Sequence, residues 1–304
     1  MISIFHRTIK EKKLKKLKEF KPGVWIDVVD PTEPEIKLLE KLGIGYSFVE
    51  DAMDPDELPR VEKEKNILYL ILNLPKTEKG KILNVPFLVG IGRDIFVTIS
   101  KKKLDSLHHL LFEPQLYTTQ KTKNLLRICL MITNLYTREI RRINKEINAR
   151  KVSLSKLKDK DIIVFVELEE VLNEFITSIV SLIGVFEKIR YGKYVKIFEK
   201  DEELLEDLII DSYQSLDMCK ISLKKITNIR EAYSTILTNT LNKVLKFLTS
   251  LTLIMGIPTI IASFYGMNVS LPFQENNFAF FYVFIFTFLL CLILVLIFYF
   301  KRWL

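Results

Sequence analysis

Apolar and polar side chains alternate in short runs along the first hundred residues, and beyond Ser100 apolar residues recur every three or four positions. The first pattern reads as strands bounded by turns and the second as helices with a covered face. Val24-Trp25-Ile26-Asp27-Val28-Val29 predicts a strand, and Thr32 and Glu35 after it have the spacing of a capping box at a helix start. Further strands are expected at 60–62, 66–74, 82–91 and 94–99. The turn-like stretches 76–80 and Gly92-Arg93 separate them and suggest an antiparallel meander. Helical periodicity follows through 125–147, 162–189 and 204–244. From about residue 200 no Pro or Gly interrupts the chain before Gly256, so the last of these helices is expected to continue into the next segment as a rod of roughly 65 residues and about 100 Å. A rod with apolar residues on several sides needs partners, within the chain and from equivalent helices of other copies.

Two apolar runs close the sequence. Residues 278–300 form a stretch of 23 without a charge, and as a helix they would span about 34 Å, enough to cross a bilayer. Residues 247–264 are also uncharged, but they include Thr249, Ser250, Thr252, Gly256, Pro258, Thr259 and Ser263. Lys243 and Lys246 precede the first run and Lys301 and Arg302 follow the second, whereas 269–277 carry no Lys or Arg. This asymmetry predicts a multi-pass protein of the cell membrane with both termini cytoplasmic and the loop outside. The Lys-rich stretch after residues 1–7, in place of an apolar core, argues against a signal peptide.

The expected fold class is an α/β N-terminal cytosolic domain followed by long helices and two C-terminal transmembrane helices. The boundaries read as 1–115 for the α/β domain and 116–243 for the helical region with its stalk from about 200. The first membrane helix takes 244–266, the external loop 267–277, the second membrane helix 278–300 and a basic tail 301–304.

A net charge of +8 raises nucleic acid as a partner, but Lys and Arg alternate with Glu and Asp through 138–151 and 159–170, the pattern of solvated helix faces, so none is expected. Cys129, Cys219 and Cys291 form no Cys-x-x-Cys pair, and His6, His108 and His109 lack partners at metal-ligand spacing. No phosphate-binding loop and no nucleophile paired with a base is found, so neither an enzyme nor an organic cofactor is indicated.

The chemistry concentrates on one helix face. Thr249, Thr252, Gly256, Thr259, Ser263 and Gly266 follow steps of three and four, and the register extends back through Leu245, Asn242, Thr238 and Thr235. Small and hydroxyl residues serve close helix packing in membranes, and their hydroxyls can bond to their own helix. Polar positions at depth are equally tolerated where they face water, so the face also reads as a pore lining shared by several copies. Leu245 and Leu248 at its lower end could close such a pore by excluding water, or pack between helices. Where the run ends, Tyr265-Gly266-Met267-Asn268 marks an entrance.

A second cluster, Glu199, Glu203, Asp207 and Asp211, repeats every four residues and stacks like charges on one face. Hard divalent cations would relieve that repulsion; a solvated acidic face is the plainer alternative.

The Tyr-Gly-Met-Asn tetrapeptide, two C-terminal spans, a large N-terminal domain and the ending Lys301-Arg302-Trp303-Leu304 together resemble the CorA family of divalent-cation channels of the two-span Gly-Met-Asn type. Trp25-Ile26-Asp27 with Asp30-Pro31-Thr32, and Glu50-Asp51 leading to Pro59-Arg60-Val61-Glu62, are similar to the family's N-terminal domain. The resemblance implies a funnel-shaped homopentamer in the lipid bilayer that passes Mg²⁺. Gly266, Met267 and Asn268 would form the external selectivity ring, and Asn242, Leu245, Leu248, Thr252, Gly256, Thr259 and Ser263 would line the pore. It further implies regulatory Mg²⁺ held between subunits, with Asp207 on the long helix, Glu203 and Asp211 nearby, and Glu78 from the α/β domain as partner unless Thr77 or Lys79 takes that place. Co²⁺, Ni²⁺ or Zn²⁺ transport within the family, and a membrane-anchored helical scaffold outside it, are the competing readings.

Overall fold

The computed structural model describes residues 1–11, 13–78, 80–150, 157–191, 197–272 and 276–303. The chain forms two compact units, Met1–Asn228 and Ile229–Leu304.

The first unit is built on a seven-stranded mixed sheet in the order β2-β1-β3-β7-β6-β5-β4. The strands are β1 (Ile2–His6), β2 (Lys15–Leu17), β3 (Val24–Val29), β4 (Arg60–Glu64), β5 (Ile67–Glu78), β6 (Lys81–Ile91) and β7 (Ile95–Ser100). β4 to β7 form the expected antiparallel meander, and β7 then joins β3 in parallel, Trp25 opposite Phe96 and Asp27 opposite Thr98. Three features depart from the sequence reading, the first being strand β1, which it did not anticipate. The Lys-rich segment contributes the edge strand β2, antiparallel to β1. The expected turn at 76–80 is mostly strand, because Thr77 pairs with Ile82 and Glu78 with Lys81, and Gly80 takes φ +84° at the hairpin tip. Glu78 is therefore the last residue of β5 and not a loop residue; Lys79 lies outside the described residues.

Both faces of this sheet are covered, so its central strands are buried on both sides. Val24, Ile26, Val28, Ile67, Tyr69, Ile71, Ile95, Val97 and Ile99 point to the face under α1 (Glu33–Lys41) and α2 (Tyr46–Asp51), where Leu39, Phe48 and Val49 complete the core. Phe48 stacks on Tyr69 with centroids 3.8 Å apart. The Thr32 backbone N–H donates to the Glu35 carboxylate at 2.9 Å, as the capping-box spacing predicts.

The opposite face meets α3 (Asp105–Leu111), α4 (Lys121–Arg150) and α5 (Asp159–Arg190). Tyr136 of α4 is fully buried there; its hydroxyl donates to Asn84 Oδ1 at 2.9 Å, and Asn84 Nδ2 donates to Ser178 Oγ at 2.6 Å. Trp25 Nε1 donates to Thr98 Oγ1, which donates to Asp27 Oδ1, both at 2.9 Å. Loss of water around Asp27 raises its pKa above the ordinary carboxylate value, and the Thr98 hydrogen bond only partly offsets this.

α6 runs unbroken from Glu199 to Tyr265, 67 residues, matching the rod expected from the absence of Gly and Pro. Within the first unit it packs on α4 through small polar residues: Thr137 and Ser215 hydroxyls lie 2.8 Å apart, and Asn144 Nδ2 donates to Ser222 Oγ at 2.7 Å. The second unit holds the rest of α6 and α7 (Ala279–Phe300). These two helices are long and apolar enough to cross a membrane.

Candidate functional site: the membrane segment of α6 and the Gly-Met-Asn turn

Pro258 sits inside α6 and lacks an N–H, so the carbonyl four residues earlier, Ile254, loses its helical donor. The Cys291 thiol of α7 lies 3.7 Å from that oxygen and donates to it. A weak donor thus meets the orphan carbonyl and ties α7 to the break; neighbouring helices are what make a proline tolerable in a membrane segment. The sequence reading noted only that Cys291 forms no Cys-x-x-Cys pair, and counting four residues back from Pro258 would have raised the need for a donor near Ile254.

The α7-facing side of α6 follows from burial. Ser250 is 0% exposed. Ile254, Ile257 and Ile261 are half-buried, and Ile261 lies in a hollow with Tyr282, Val283 and Phe286. The predicted seam is displaced from this stripe by two residues at every step: Thr252, Gly256, Thr259 and Ser263. Two residues turn an α-helix by about 200°, so the seam lies opposite α7. Thr252, Thr259 and Ser263 are exposed, and a Cβ built on Gly256 would meet no heavy atom within 4 Å. Packing between the two helices of one chain is therefore not what the seam serves.

The seam hydroxyls bond partly to their own helix. Thr252 Oγ1 donates to Leu248 O at 2.9 Å and Thr259 Oγ1 to Met255 O at 3.0 Å. Each hydroxyl proton is used locally, leaving the oxygen lone pairs turned outward as acceptors. Such a face suits a hydrated cation. Leu245 and Leu248 are 50% and 56% exposed, and Asn242 is exposed one turn before them.

At the upper end α6 stops at Tyr265, and Gly266 N donates to Ala262 O at 2.9 Å while Met267 N donates to Phe264 O at 3.2 Å. A Cβ on Gly266 would sit 3.3 Å from Ala262 O, tight enough to favour glycine without a left-handed backbone. Met267 and Asn268 are exposed. Asn276, passed over in the sequence, accepts the Phe278 N–H at 2.9 Å and opens α7.

The acidic candidates do not converge. Among the described residues no group of three or more His, Cys, Asp or Glu side chains could hold a metal ion. Glu203 and Asp207 are exposed on the first turns of α6. Glu78 accepts a hydrogen bond from Lys102 Nζ at 2.6 Å. Asp211 is only half-exposed and lines a cavity with Arg138, Arg141, Arg142 and Lys145, a setting that repels a divalent cation.

Residues 21–302 match the family described as "CorA-like Mg2+ transporter protein". The chain is 28% identical over 273 residues to the cobalt/magnesium transport protein CorA of Methanocaldococcus jannaschii, covering 86% of this chain and 84% of that one. Its fold matches the complete structure of the CorA magnesium transporter from the same organism with a TM-score of 0.87 at 25% identity, over 100% of this chain and 99% of that one. The full-length CmaX protein shares the fold at 12% identity and a TM-score of 0.75, over 96% of each chain. With an α/β domain, long helices and two apolar C-terminal helices in place, and a family match across nearly the whole sequence, the chain belongs to the CorA-like Mg²⁺ transporter family.

Proposed function

We propose that this protein is a passive Mg²⁺ channel, a homopentamer in the cell membrane whose ion path is walled by the α6 seam. The observation that carries this reading is the seam's position opposite α7: small, polar and uncovered within the chain, it is left for water and for other copies. The positive charges of Lys243, Lys246, Lys301 and Arg302 support cytoplasmic termini with the Gly-Met-Asn turn outside.

Asn268 amides from several copies would form a neutral collar that bonds to the hydration shell of Mg²⁺, which sheds water reluctantly. Weak binding there permits release into the seam. An inside-negative potential contributes about 2.3 kcal/mol per charge per 100 mV, roughly 4.6 kcal/mol for a divalent ion, so inward flow needs no other energy source. Leu245 and Leu248 would form the constriction that closes by excluding water.

Regulation rests on cytosolic Mg²⁺ held between subunits. Asp207 and Glu203 offer exposed carboxylate oxygens, the donors Mg²⁺ prefers, and neither has a cationic partner within 4.0 Å among the described residues. The described residues of one chain assemble no full ligand set, so the remaining oxygens would come from another copy, with Glu78 as the candidate once released from Lys102. Co²⁺ is the competing cargo, since the relative from Methanocaldococcus jannaschii is named for both ions.

The test is Mg²⁺ uptake into liposomes under an imposed potential, with Co²⁺ as competitor. Wild-type protein should take up Mg²⁺, and Asn268→Ala should lose at least ~10-fold of the flux while eluting as the same oligomer. Undiminished flux in that variant removes the collar from the account.

A further inference from the structure

The charges between 138 and 151 alternate in sequence, yet the fold gathers four of the cations on one side. Arg138, Arg141, Arg142 and Lys145 of α4 line a cavity of about 480 Å³ against α6, within the ~300–1,000 Å³ range of ligand pockets. Its other polar lining is Asn134, Thr137, Gln214 and Ser215, and Asp211 is its one carboxylate. Glu139, buried beneath, reaches Arg138 Nε and Arg142 Nη1, both at 3.3 Å. Arg142 Nη1 also donates to Thr77 Oγ1 at 3.0 Å. These contacts orient two guanidinium groups and leave the Nη2 and Nε donors of Arg142 and both Nη groups of Arg138 for a ligand. Arg141 and Lys145 have no carboxylate within 4.0 Å among the described residues. Even with Asp211 and Glu139 counted, two positive charges remain uncompensated.

We propose that this cavity between α4 and α6 binds a multiply charged phosphate anion of the pyrophosphate or triphosphate class. Forked guanidinium donors match phosphate oxygens two at a time, and a cluster of them favours an anion that carries several charges close together. The amides of Asn134 and Gln214 supply neutral donors, one from each helix. The lining contains no aromatic ring on which a base could stack, so the phosphates themselves are the recognised part. This reading is independent of the ion path proposed above.

The experiment is calorimetric titration of the purified full-length protein in detergent, free of divalent cations. Tripolyphosphate, pyrophosphate, ATP and sulfate are compared at equal ionic strength. Saturable binding is expected in the order tripolyphosphate, pyrophosphate, sulfate, weakening as salt rises. ATP should bind about as tightly as tripolyphosphate; much tighter binding of ATP would contradict recognition by phosphate alone. Arg141→Gln combined with Lys145→Gln should weaken tripolyphosphate at least ~10-fold, with elution volume and melting temperature unchanged. Arg141→Lys with Lys145 retained should recover part of the affinity and so separate charge from fold. No saturable binding, or equal binding in the double variant, overturns the proposal. Loss of the oligomer in the double variant would instead assign the cations to an acidic surface of another copy and also overturn it.

Discussion

Gly256 offers the sharpest separation between what the seam does inside one chain and what it does between chains. Within the chain a Cβ at this position meets nothing within 4 Å. Replacing Gly by Ala in a helix interior removes backbone freedom from the unfolded state and contributes about 0.5–1 kcal/mol. Gly256→Ala should therefore be as stable as wild type or more so, and Gly256→Leu should still fold and insert. Ser250 is the control, since it is 0% exposed on the α7-facing side. A leucine there overpacks the helix pair at a cost of about 1–3 kcal/mol and should lower yield and melting temperature. Flux should show the reverse ranking. Isobutyl groups at 256, repeated around a pore, narrow it and repel water, and a ~10-fold loss of Mg²⁺ flux corresponds to only about 1.4 kcal/mol of added barrier. Melting curves and liposome flux on the same preparations decide the matter. Wild-type flux in Gly256→Leu, or destabilisation of Gly256→Leu with Ser250→Leu tolerated, would refute the assignment of faces.

Two further outcomes follow from the first unit. Asp207→Asn should shift inhibition by internal Mg²⁺ upward by at least ~5-fold, while Asp211→Asn leaves it unchanged, because Asp211 faces four cationic side chains; equal shifts in flux assays would contradict the distinction. Asp27 has its pKa raised by loss of water in the folded state, so the unfolded chain ionises first as pH climbs through 3.8. Stability from this group is lost on going upward from there through the raised folded value. Asp27→Asn, which keeps an acceptor for Thr98, should melt a few degrees higher than wild type at pH 7, the difference closing below pH 3.8; a lower melting point at pH 7 would contradict the sign.

Much of the fold was legible because its signals are local. Short apolar runs bounded by turn residues marked β3 and the meander, and 56 residues without Gly or Pro between 200 and 255 announced α6. β2 escaped because its three residues include two exposed lysines on a sheet edge, where no face pattern develops. The end of β5 was misread as a turn, since Thr77 and Glu78 look like loop residues until the 78–81 hairpin closes on them. Pro258 gave no hint of its remedy, because the Cys291 thiol arrives from 33 residues away. The basic cavity was equally hidden: in sequence its charges mix with Glu139 and Glu146, and only the packing of α4 on α6 sets the four cations side by side. The seam itself was visible from spacing, but its placement opposite α7 needed the helix pair.

The central claim is that this uncovered face borders the ion path. In a Cys291→Ser background, where the serine hydroxyl retains a donor for Ile254 O and the two other cysteines, Cys129 and Cys219, are buried, single cysteines can be placed at 252, 256, 259 and 263 and, for contrast, at 255 and 260. Mg²⁺ flux through liposomes is then followed as a small water-soluble thiol reagent is added. The account predicts rapid block at the four seam positions and none at Met255→Cys or Ile260→Cys; block without regard to face, or at 255 and 260 alone, would contradict it.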